Sequence, residues 1–415
     1  MTGQEAARRL LASASLRRLA ELWPDGRLFL TGGALRDRLL GRHPTDLDLA
    51  MLGDARAAAS QVAGALGGRC FPLGRRPLVT WRVVAGGRHL DFWGISGDLE
   101  ADIRRRDFTI NALFWRLPRG PLIDLVGGLD DLQAGRLRVI SPDNLRADPL
   151  RVLRGVRLAA TRPELRLTAT AESQLAAAAG SLHTVARERI VDELRLLLGG
   201  TAANRAVRTA ARLGILAALR HEWEGYGAVP LVADTAAALA RLRAWGRSAI
   251  ARGAVEVSPA LLAAPAAGFP GAWHEALAVE ALLAMGWPPA AAEHATAAAG
   301  FGERLLSLPS GDTSSARVLA VDAGERLGAA LAWACAREAT AGRDRLPEAR
   351  RMLLWWQRFS SRPPLLDGSE VARVLDLPPG PGRAEAVLAL RRAQARGQVR
   401  LRAQAVEFLT SLSDR

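Results

Sequence analysis

The sequence predicts an α+β fold, with a small mixed, mostly antiparallel sheet in the N-terminal part and helices throughout the remainder. Two observations favour this division. Up to Val139, apolar or alternating segments that suit strands are interleaved with helical segments. From Asp148 onward, nearly every segment is rich in Ala, Leu and Arg, and turn residues break the helices at 199–200, 257–271, 288–289 and 307–314.

The composition indicates an anionic partner. The 415 residues carry a formal net charge of +14, and 49% of them are hydrophobic, which suffices for several cores. All 56 basic residues are arginine, since the chain contains no lysine. We attribute this to the codon bias of a GC-rich genome. Charge alone does not distinguish a nucleic-acid partner from a solvated surface.

Cysteine usage and hydropathy predict a reduced, cytoplasmic protein. Cys70 and Cys335 form no CxxC pair, and the six histidines show no metal-ligand spacing. Because no run of about 18 apolar residues and no secretory signal occurs, we expect no membrane span and no targeting segment. Residues 1–22 predict a first amphipathic helix.

A predicted strand, turn and helix open the first segment of chemical interest. Residues 27–30 are apolar enough for a buried strand, and residues 34–40 suit a helix that Gly41 ends. Between them, Gly32 and Gly33 permit a tight turn with the backbone close to a ligand. The N-terminus of such a helix presents free N–H groups to an anion.

Two charged residues occupy the first turn of this helix. Arg36 could hold a phosphate with both prongs of its planar guanidinium, and Asp37 could accept from backbone N–H groups or hold that arginine in place. A Walker-type loop and a GxGxxG fingerprint are both absent, which argues against the P-loop and Rossmann classes of site.

A strand with two aspartates follows. Asp46, Leu47, Asp48 and Leu49 alternate, so the carboxylates share one face and the leucines point into the core. Such carboxylates supply the hard oxygen ligands that Mg²⁺ prefers, and metals that bridge a triphosphate and an attacking hydroxyl serve in-line nucleotidyl transfer. Taken singly, a glycine pair and a DxD are also ordinary turn features.

The sequences GGALRD at 32–37 and DLD at 46–48 together resemble the signature of the class II tRNA nucleotidyltransferase and bacterial poly(A) polymerase family. The resemblance implies a nucleotidyltransferase palm like that of polymerase β, in which Asp46 and Asp48 are the catalytic metal ligands. It also implies Mg²⁺ as cofactor, CTP and ATP as substrates, and tRNA as partner, with the acceptor end at the head. No protein partner is implied.

Residues 104–113, RRRDFTINAL, resemble the second motif of the family, which is associated with recognition of the ribose and phosphates. The match covers Arg106, Asp107 and Asn111. On a helix, Asp107 and Asn111 would share one face while Phe108 packs inward. A capped amphipathic helix with solvated arginines is the alternative.

Residues 122–132, LIDLVGGLDDL, resemble the third motif. We expect its residues to be mostly structural, because Gly127 and Gly128 would join a strand to a helix. Asp131 is expected to be either a helix cap or a ligand, and Asp124 belongs to the same match.

Residues 147–160, ADPLRVLRGVRLAA, resemble the EDxxR motif of the family, with Ala147 in place of the glutamate. The resemblance implies that Asp148 and Arg151 act as an amino-acid template for the incoming base. A carboxylate that accepts, beside a guanidinium that donates, matches the pairing edges of cytosine and adenine and not those of uracil and guanine. The alternative is that Asp148 caps a helix whose first turn contains Pro149.

The helix that begins at this motif carries further matches. Arg154 and Arg157 match nucleotide-contacting arginines of the family, and the packed side would consist of Leu150, Val152, Leu153 and Val156. Residues 186–194 resemble a fifth motif, whose charged residues we expect to form helix pairs rather than to do chemistry: Glu188, Arg189 and Glu193.

Residues 81–91 predict a hairpin with Gly86 and Gly87 at its turn. Asp91 lies where a third acidic metal ligand could stand, although strand-end aspartates are also common turn residues. Only residues 92–103 separate it from the second motif. This leaves little room for the flexible loop that CCA-adding relatives use when switching from CTP to ATP, and so resembles CC-adding relatives.

We expect four parts: a catalytic head over residues 1–140, a helical neck with the base-selecting motif over 141–200, a helical body over 201–345 and a basic tail over 346–415. The tail has twelve arginines against seven acidic residues, with a cluster at Arg391, Arg392, Arg396, Arg400 and Arg402. Such a surface could bind phosphates of the tRNA elbow, the alternative being a solvated helix face.

The sequence therefore predicts a template-independent tRNA 3′-terminal nucleotidyltransferase that adds C, with addition of A left open. A poly(A) polymerase of the same family is the first alternative. A nucleotidyltransferase for small molecules would leave the helical arm unexplained. A non-catalytic tRNA-binding protein would be signalled by the loss of Asp46 or Asp48, and both are present.

Overall fold

A computed structural model describes residues 21–23, 26–44, 46–74, 79–95, 97–117, 120–198, 202–222, 286–340 and 342–413, and the single positions 16, 19, 279, 282 and 283. The break predicted at 257–271 lies outside the described residues, as does most of the helix predicted over 1–22. The chain divides into two compact units, Met1–Val185 and Ala186–Arg415. The four-part division stays a prediction.

A seven-stranded sheet forms the centre of the first unit. Its strands are β1 (Leu28–Thr31), β2 (Asp46–Met51), β3 (Arg69–Leu73), β4 (Thr80–Ala85), β5 (Arg88–Gly94), β6 (Phe114–Arg116) and β7 (Leu122–Ile123). Their spatial order is β3-β4-β5-β2-β1-β6-β7, and only β2 and β5 pair in parallel. The predicted mixed, mostly antiparallel sheet and α+β fold are confirmed.

The sequence of each central strand follows from its place in the sheet. Residues Leu28, Phe29 and Leu30 of β1 are fully buried, because β1 lies between β2 and β6 and is covered on both faces. β2 instead alternates, with Leu47 and Leu49 buried. The predicted hairpin joins β4 to β5.

Short helices surround the sheet and connect its strands. They are α1 (Gly32–Leu39), α2 (Ala55–Leu66), α3 (Leu99–Arg104), α4 (Gly128–Gln133), α5 (Pro142–Ala147), α6 (Leu150–Thr161) and α7 (Ala169–Ala178). Two 3-10 turns lie at Thr109–Asn111 and Ala179–Thr184, and the short strands β8 (Arg136–Leu137) and β9 (Arg166–Leu167) pair in parallel. α6 packs through the predicted apolar side: Leu150, Val152, Leu153 and Val156 are buried.

The described part of the second unit is helical. Its helices are α8 (Arg187–Leu198), α9 (Ala203–Arg212), α10 (Ile215–Glu222), α11 (Pro289–Ser307), α12 (Thr313–Ala323), α13 (Leu327–Thr340), α14 (Leu346–Ser360), α15 (Gly368–Leu375), α16 (Pro381–Arg396) and α17 (Arg402–Ser413). The last three share a core that includes Leu366, Val371 and Leu409. Among the described helices, none is long and apolar enough to cross a membrane.

Candidate active site

The predicted carboxylate pair lies at the centre of the sheet. Asp46 and Asp48 project from the same face of β2, and in the parallel register Asp48 lies beside Asp91 of β5. The Asp46 side chain is 64% exposed, whereas Asp48 is half-buried. The His89 ring approaches Asp46, with 3.5 Å between Nδ1 and Oδ1. Three carboxylates therefore share one face of two neighbouring strands.

The glycine pair brings the start of α1 against Asp48. Gly32 has a φ of +66°, and a Cβ built on it would lie 2.5 Å from Oδ2 of Asp48, so only glycine fits. The backbone N–H of Gly33 donates to the same oxygen at 3.1 Å. The helix begins at Gly32, two residues earlier than predicted. Its first N–H groups are engaged by Asp48 rather than free for an external anion.

Asp48 experiences opposing electrostatic effects. Burial raises the pKa of its carboxyl, and the neighbouring charge of Asp91 raises it further. The guanidinium of Arg106 and the N–H groups of Gly33 and Ala34 lower the pKa, but by less than burial and Asp91 together raise it. A carboxylate in this position is stabilised by any additional positive charge on the open side of β2.

Asp91 pairs with an arginine on the neighbouring strand. Arg82 of β4 lies directly opposite Asp91 in the register, and its Nε and Nη2 donate to the two carboxylate oxygens at 2.8 and 2.7 Å. Over the described residues, no three His, Cys, Asp or Glu side chains form a group that could hold a metal ion. The geometry thus favours an ion pair at Asp91 over the predicted third metal ligand.

Arg36 is more deeply buried than the phosphate-binding role predicts. It is 5% exposed, and its Nε donates to Asp37 at 2.9 Å while its Nη1 donates to Oδ1 of Asn111 at 2.6 Å. Two of its three guanidinium nitrogens therefore donate to side chains of the protein. In this arrangement Arg36 supports Asn111 and does not present the predicted fork to a phosphate.

Asp37 holds Arg36 in place, as predicted, and also binds a residue that sequence reasoning missed. Arg162 donates to its two oxygens at 2.8 and 3.3 Å. Burial raises the pKa of Asp37, but the hydrogen bonds from Arg162 and Arg36, together with the charges of both arginines, outweigh it, so the pKa is below its usual value. Nothing local in the sequence could indicate this pair, because 125 residues separate its members.

The second motif forms a turn and not the predicted α-helix. Oδ1 of Asp107 accepts from the backbone N–H of Phe108 at 2.7 Å, which competes with helix formation, and a 3-10 turn over Thr109–Asn111 follows. Asp107 and Asn111 still meet, since Nδ2 of Asn111 donates to the same oxygen at 3.1 Å. Phe108 is fully buried, as predicted.

Arg106 is held on several sides. Its Nη1 donates to the carbonyl of Asn111 and its Nη2 to Asp102, each at 3.2 Å, and the guanidinium lies 4.4 Å above the ring of Phe114. Burial lowers its pKa, while Asp102 and Asp48 raise it. Asp102, which is 4% exposed and lies on α3 four residues before Arg106, was missed, because the predicted helix covered only the motif over residues 104–113.

A cavity of about 520 Å³ opens beside these residues. Its polar and aromatic lining includes Thr80, Trp93, Asp102, Arg105, Arg106 and Arg151. The cavity therefore places Arg105 and Arg106 of the second motif and the predicted base-selecting Arg151 around one space. Its volume suits a small organic ligand.

The geometry of Asp148 decides against the helix-cap alternative. Pro149, and not Asp148, occupies the N-cap position of α6. Nη1 of Arg151 donates to the carbonyls of Arg105 and Asn144 at 2.7 and 3.0 Å, and its Nε lies 3.9 Å from Oδ2 of Asp148. That Nε is buried and has no hydrogen-bond partner in the described part of the chain.

Arg154 and Arg157 follow on α6 and are half-buried. They lie about one and two helical turns after Arg151. Their predicted contact with nucleotide stays a prediction.

The third motif is structural in a way that differs from the prediction. Asp131 is neither a cap nor exposed to a ligand: it is 1% exposed and accepts from Thr109, Arg136 and Arg138. Asp124 instead accepts from the backbone N–H groups of residues 128 and 129 at the start of α4, each at 2.9 Å. The capping role thus belongs to Asp124.

The predicted arginine cluster of the tail is divided among protein partners. Arg392 donates to Asp322 at 2.7 Å, Arg402 pairs with Glu370, and the guanidinium of Arg391 lies 4.9 Å from the ring centre of Phe359. Arg396 and Arg400 are exposed. Part of the cluster therefore packs the helices of the second unit together instead of presenting charge to a partner.

Comparisons with known proteins extend these observations. A family model described as the poly A polymerase head domain matches residues 80–138. An A-adding tRNA nucleotidyltransferase of Deinococcus radiodurans is 43% identical over 194 residues, and a CC-adding tRNA nucleotidyltransferase of Thermus thermophilus is 42% identical over 192. Each match spans 45% of this chain and 43% of that relative, so less than half of these two proteins is represented.

Two further similarities extend over more than nine tenths of the chain. A CC-adding tRNA nucleotidyltransferase of Geobacter sulfurreducens is 34% identical over 402 residues, which is 92% of this chain and 91% of that protein. The solved structure of a Thermotoga maritima CCA-adding enzyme complexed with tRNA superposes with a TM-score of 0.70 at 20% identity, covering 98% of both chains. Because the identity is only 20%, the similarity to the Thermotoga maritima structure is evidence for the fold alone.

Proposed function

The chain belongs to the class II tRNA nucleotidyltransferase and bacterial poly(A) polymerase family, and on that premise we propose that it adds nucleotides to the 3′ end of tRNA without a nucleic-acid template. The observation that carries the proposal is the position of Asp46 and Asp48 on one open face of β2, against the start of α1 and near Arg106. Palm carboxylates in this arrangement suit transfer of a nucleotide from a triphosphate to a hydroxyl.

The donor set fits a magnesium ion held by two carboxylates. Mg²⁺ is commonly bound by one or two carboxylates together with substrate phosphates. Asp46 and Asp48 supply two carboxylates, whereas Asp91 is paired with Arg82. When bound, the metal would stabilise charge on the triphosphate and promote ionisation of the attacking 3′-hydroxyl.

The second motif supplies the groups that would hold the rest of the nucleotide. Arg106 keeps a positive charge at the wall of the cavity through its contacts with Asp102 and Asn111. Nδ2 of Asn111 donates to Asp107, and Oδ1 of Asn111 accepts from Arg36. We propose that Arg106 binds phosphate and that Asp107 and Asn111 recognise the sugar hydroxyls. Gly32 and Gly33, which have no side chain, would let the backbone lie close to the nucleotide.

Asp148 and Arg151 would choose the base. Cytosine and adenine each present an amino donor next to a ring-nitrogen acceptor, which matches a carboxylate and a guanidinium side by side. The unpartnered Nε of Arg151, 3.9 Å from Asp148, supports this reading because a hydrogen-bond donor is buried there without an acceptor. Uracil would place a carbonyl against Asp148. Arg154 and Arg157 would contact the same nucleotide from α6.

Among the members of the family, we propose CC addition. The relative that matches 92% of this chain is a CC-adding enzyme, and the connection from β5 to α3 is short, with α3 beginning at Leu99 and β5 ending at Gly94. Addition of A alone is the second candidate, because the A-adding enzyme of Deinococcus radiodurans is 43% identical over 194 residues.

The helical unit would bind the body of the tRNA. We propose that the acceptor end lies at the head and the elbow at the tail, where Arg396 and Arg400 are exposed. A cytoplasmic location and the head, neck, body and tail divisions given above are part of the same proposal.

The proposal is tested by supplying labelled CTP, labelled ATP or both, each time with Mg²⁺, and measuring their incorporation into RNA. The acceptors are tRNA transcripts that end at the discriminator base, after one C, or after CC. We expect two cytidines on the first transcript, one on the second and no adenosine on the third. Addition of a single adenosine to the CC transcript alone would support the second candidate. Long adenosine tails on any RNA would instead indicate a poly(A) polymerase, and no incorporation would contradict the proposal.

A further inference from the structure

We infer that Asn144 is a positioning residue for base selection, because it fixes the backbone on which Arg151 depends. This inference rests on the proposed function and deepens it. Asn144 lies on α5, outside the motif residues that the sequence identifies, and it is half-buried.

The side chain of Asn144 joins two carbonyl groups of one segment. Its Nδ2 donates to the carbonyl oxygens of Arg104 and Arg106, each at 2.7 Å. An amide nitrogen carries two hydrogens, so both bonds can form at once. The opposite orientation would place Oδ1 against two carbonyl oxygens, which have no hydrogen to share. The contact therefore determines which way the amide faces.

The carbonyl between these two is the one that Arg151 uses. Nη1 of Arg151 donates to the carbonyl of Arg105 at 2.7 Å and to the carbonyl of Asn144 at 3.0 Å. Asn144 thus contributes one acceptor directly, and its side chain holds the other in place by fixing the residues on either side. Both acceptors for this nitrogen depend on one residue.

This dependence matters because, in the part of the chain that the structure describes, the Nε of Arg151 has no hydrogen-bond partner. Position 147 is an exposed alanine, and the nearest oxygen of Asp148 lies 3.9 Å from Nε. The direction of the guanidinium is set by backbone carbonyls, and a shift of the Arg104–Arg106 segment would turn the donors that face the base. The same shift would move Arg106, so selection and phosphate binding would weaken together.

The test compares the ratio of kcat/KM for CTP to that for UTP in three variants of the full chain. Asn144→Ala removes both hydrogen bonds, and we expect the ratio to fall about tenfold. Asn144→Asp keeps the shape but sets a carboxylate against two carbonyls, so we expect a larger fall. Asp143→Ala is the matched control, since Asp143 is an exposed neighbour on α5 whose side chain pairs with Arg146. Its ratio should equal that of the wild type.

The ratio separates positioning from a loss of folded protein. Fewer active molecules would lower kcat/KM for both nucleotides equally and leave the ratio unchanged. An unchanged ratio in both Asn144→Ala and Asn144→Asp would overturn the inference even if total activity falls. Should these variants fail to fold, Asn144→Ser, which cannot make both hydrogen bonds, must show a ratio below that of the wild type, and an unchanged ratio would overturn the inference. A wild type that incorporates neither CTP nor ATP would instead remove the proposed function, and the inference with it.

Discussion

Two buried carboxylates, one in each unit, have the same kind of neighbours. Asp131 of α4 accepts from Nε of Arg136 and Nε of Arg138 at 2.9 and 2.8 Å. Glu338 of α13 accepts from Nε of Arg343 at 2.6 Å and from Nε of Arg345 at 3.3 Å. Their side chains are 1% and 9% exposed. In both places an acid is buried because two arginines neutralise it.

The two sites differ in what else the carboxylate holds. Asp131 also accepts from Oγ1 of Thr109 at 2.6 Å, and Thr109 opens the 3-10 turn that ends at Asn111. α4 packs so closely here that a Cβ on Gly128 would lie 2.2 Å from the Thr109 carbonyl. Glu338 instead ties down the chain that follows α13. A carboxylate paired with two arginines thus supports the candidate active site in the first unit, whereas in the second unit it binds residues that follow the end of α13.

The largest effect in this comparison is expected for Asp131→Ala. The change leaves Arg136, Arg138 and Thr109 without their acceptor, and we expect a loss of about 3 kcal/mol in the free energy of unfolding, since both arginines can still reach solvent. Urea titration followed by circular dichroism measures it. Because the Thr109 turn carries Asn111, kcat/KM for CTP should also fall about tenfold at a temperature where the variant is folded. Full activity in the folded variant would contradict the link to the site.

A smaller effect, limited to stability, is expected for Glu338→Gln. The amide keeps one acceptor but loses the charge, so we expect a loss of about 1 to 2 kcal/mol in the free energy of unfolding. The kcat/KM for CTP should stay within about twofold of the wild type, because none of its partners belongs to the candidate site. A loss of activity equal to that of Asp131→Ala would show that the comparison is wrong.

The smallest effect is a change in the acid dependence of stability. Hydrogen bonds from Arg343 lower the pKa of Glu338, and burial opposes them only partly, so the folded protein keeps this carboxylate ionised below the unfolded value of 4.5. The unfolded state binds the proton first as the pH falls. The contribution of Glu338 is therefore complete above about pH 5 and is lost as the pH falls through the lowered folded pKa.

Urea midpoints measured between about pH 7 and pH 3 check this sign. The midpoint of the wild type should fall more steeply below about pH 4.5 than that of Glu338→Gln. Asp37, whose folded pKa is also below its usual value, is unchanged in both proteins and contributes equally to both curves. Parallel curves would contradict the assignment of acid sensitivity to Glu338.

The sequence predicted those parts of the site that local patterns determine. Alternation placed Asp46 and Asp48 on one face of a strand, and two glycines marked the point where β1 ends and α1 begins. The hairpin between β4 and β5 followed from Gly86 and Gly87, which both adopt positive φ. Each of these features depends on a few neighbouring residues, so a single sequence carries the information.

The parts that could not be predicted depend on distant contacts or on competition within a turn. Arg162 reaches Asp37 across 125 residues, and Arg82 pairs with Asp91 only because the strand register sets them opposite. The second motif has helical spacing, but the Asp107 side chain takes the backbone N–H that a helix would use. Burial of Arg36 was missed for a similar reason, since its partner Asn111 belongs to another element.

The most direct test of the account is single-turnover incorporation of CTP by Asp48→Asn, with Asp130→Asn as the matched control. Asp48 lies against the start of α1 at the centre of the proposed site, whereas Asp130 is exposed on α4. We predict a rate lower by roughly 10³-fold for Asp48→Asn, because charge on the transferred phosphate would lose its main stabilisation, and an unchanged rate for Asp130→Asn. A wild-type rate in Asp48→Asn would contradict the account.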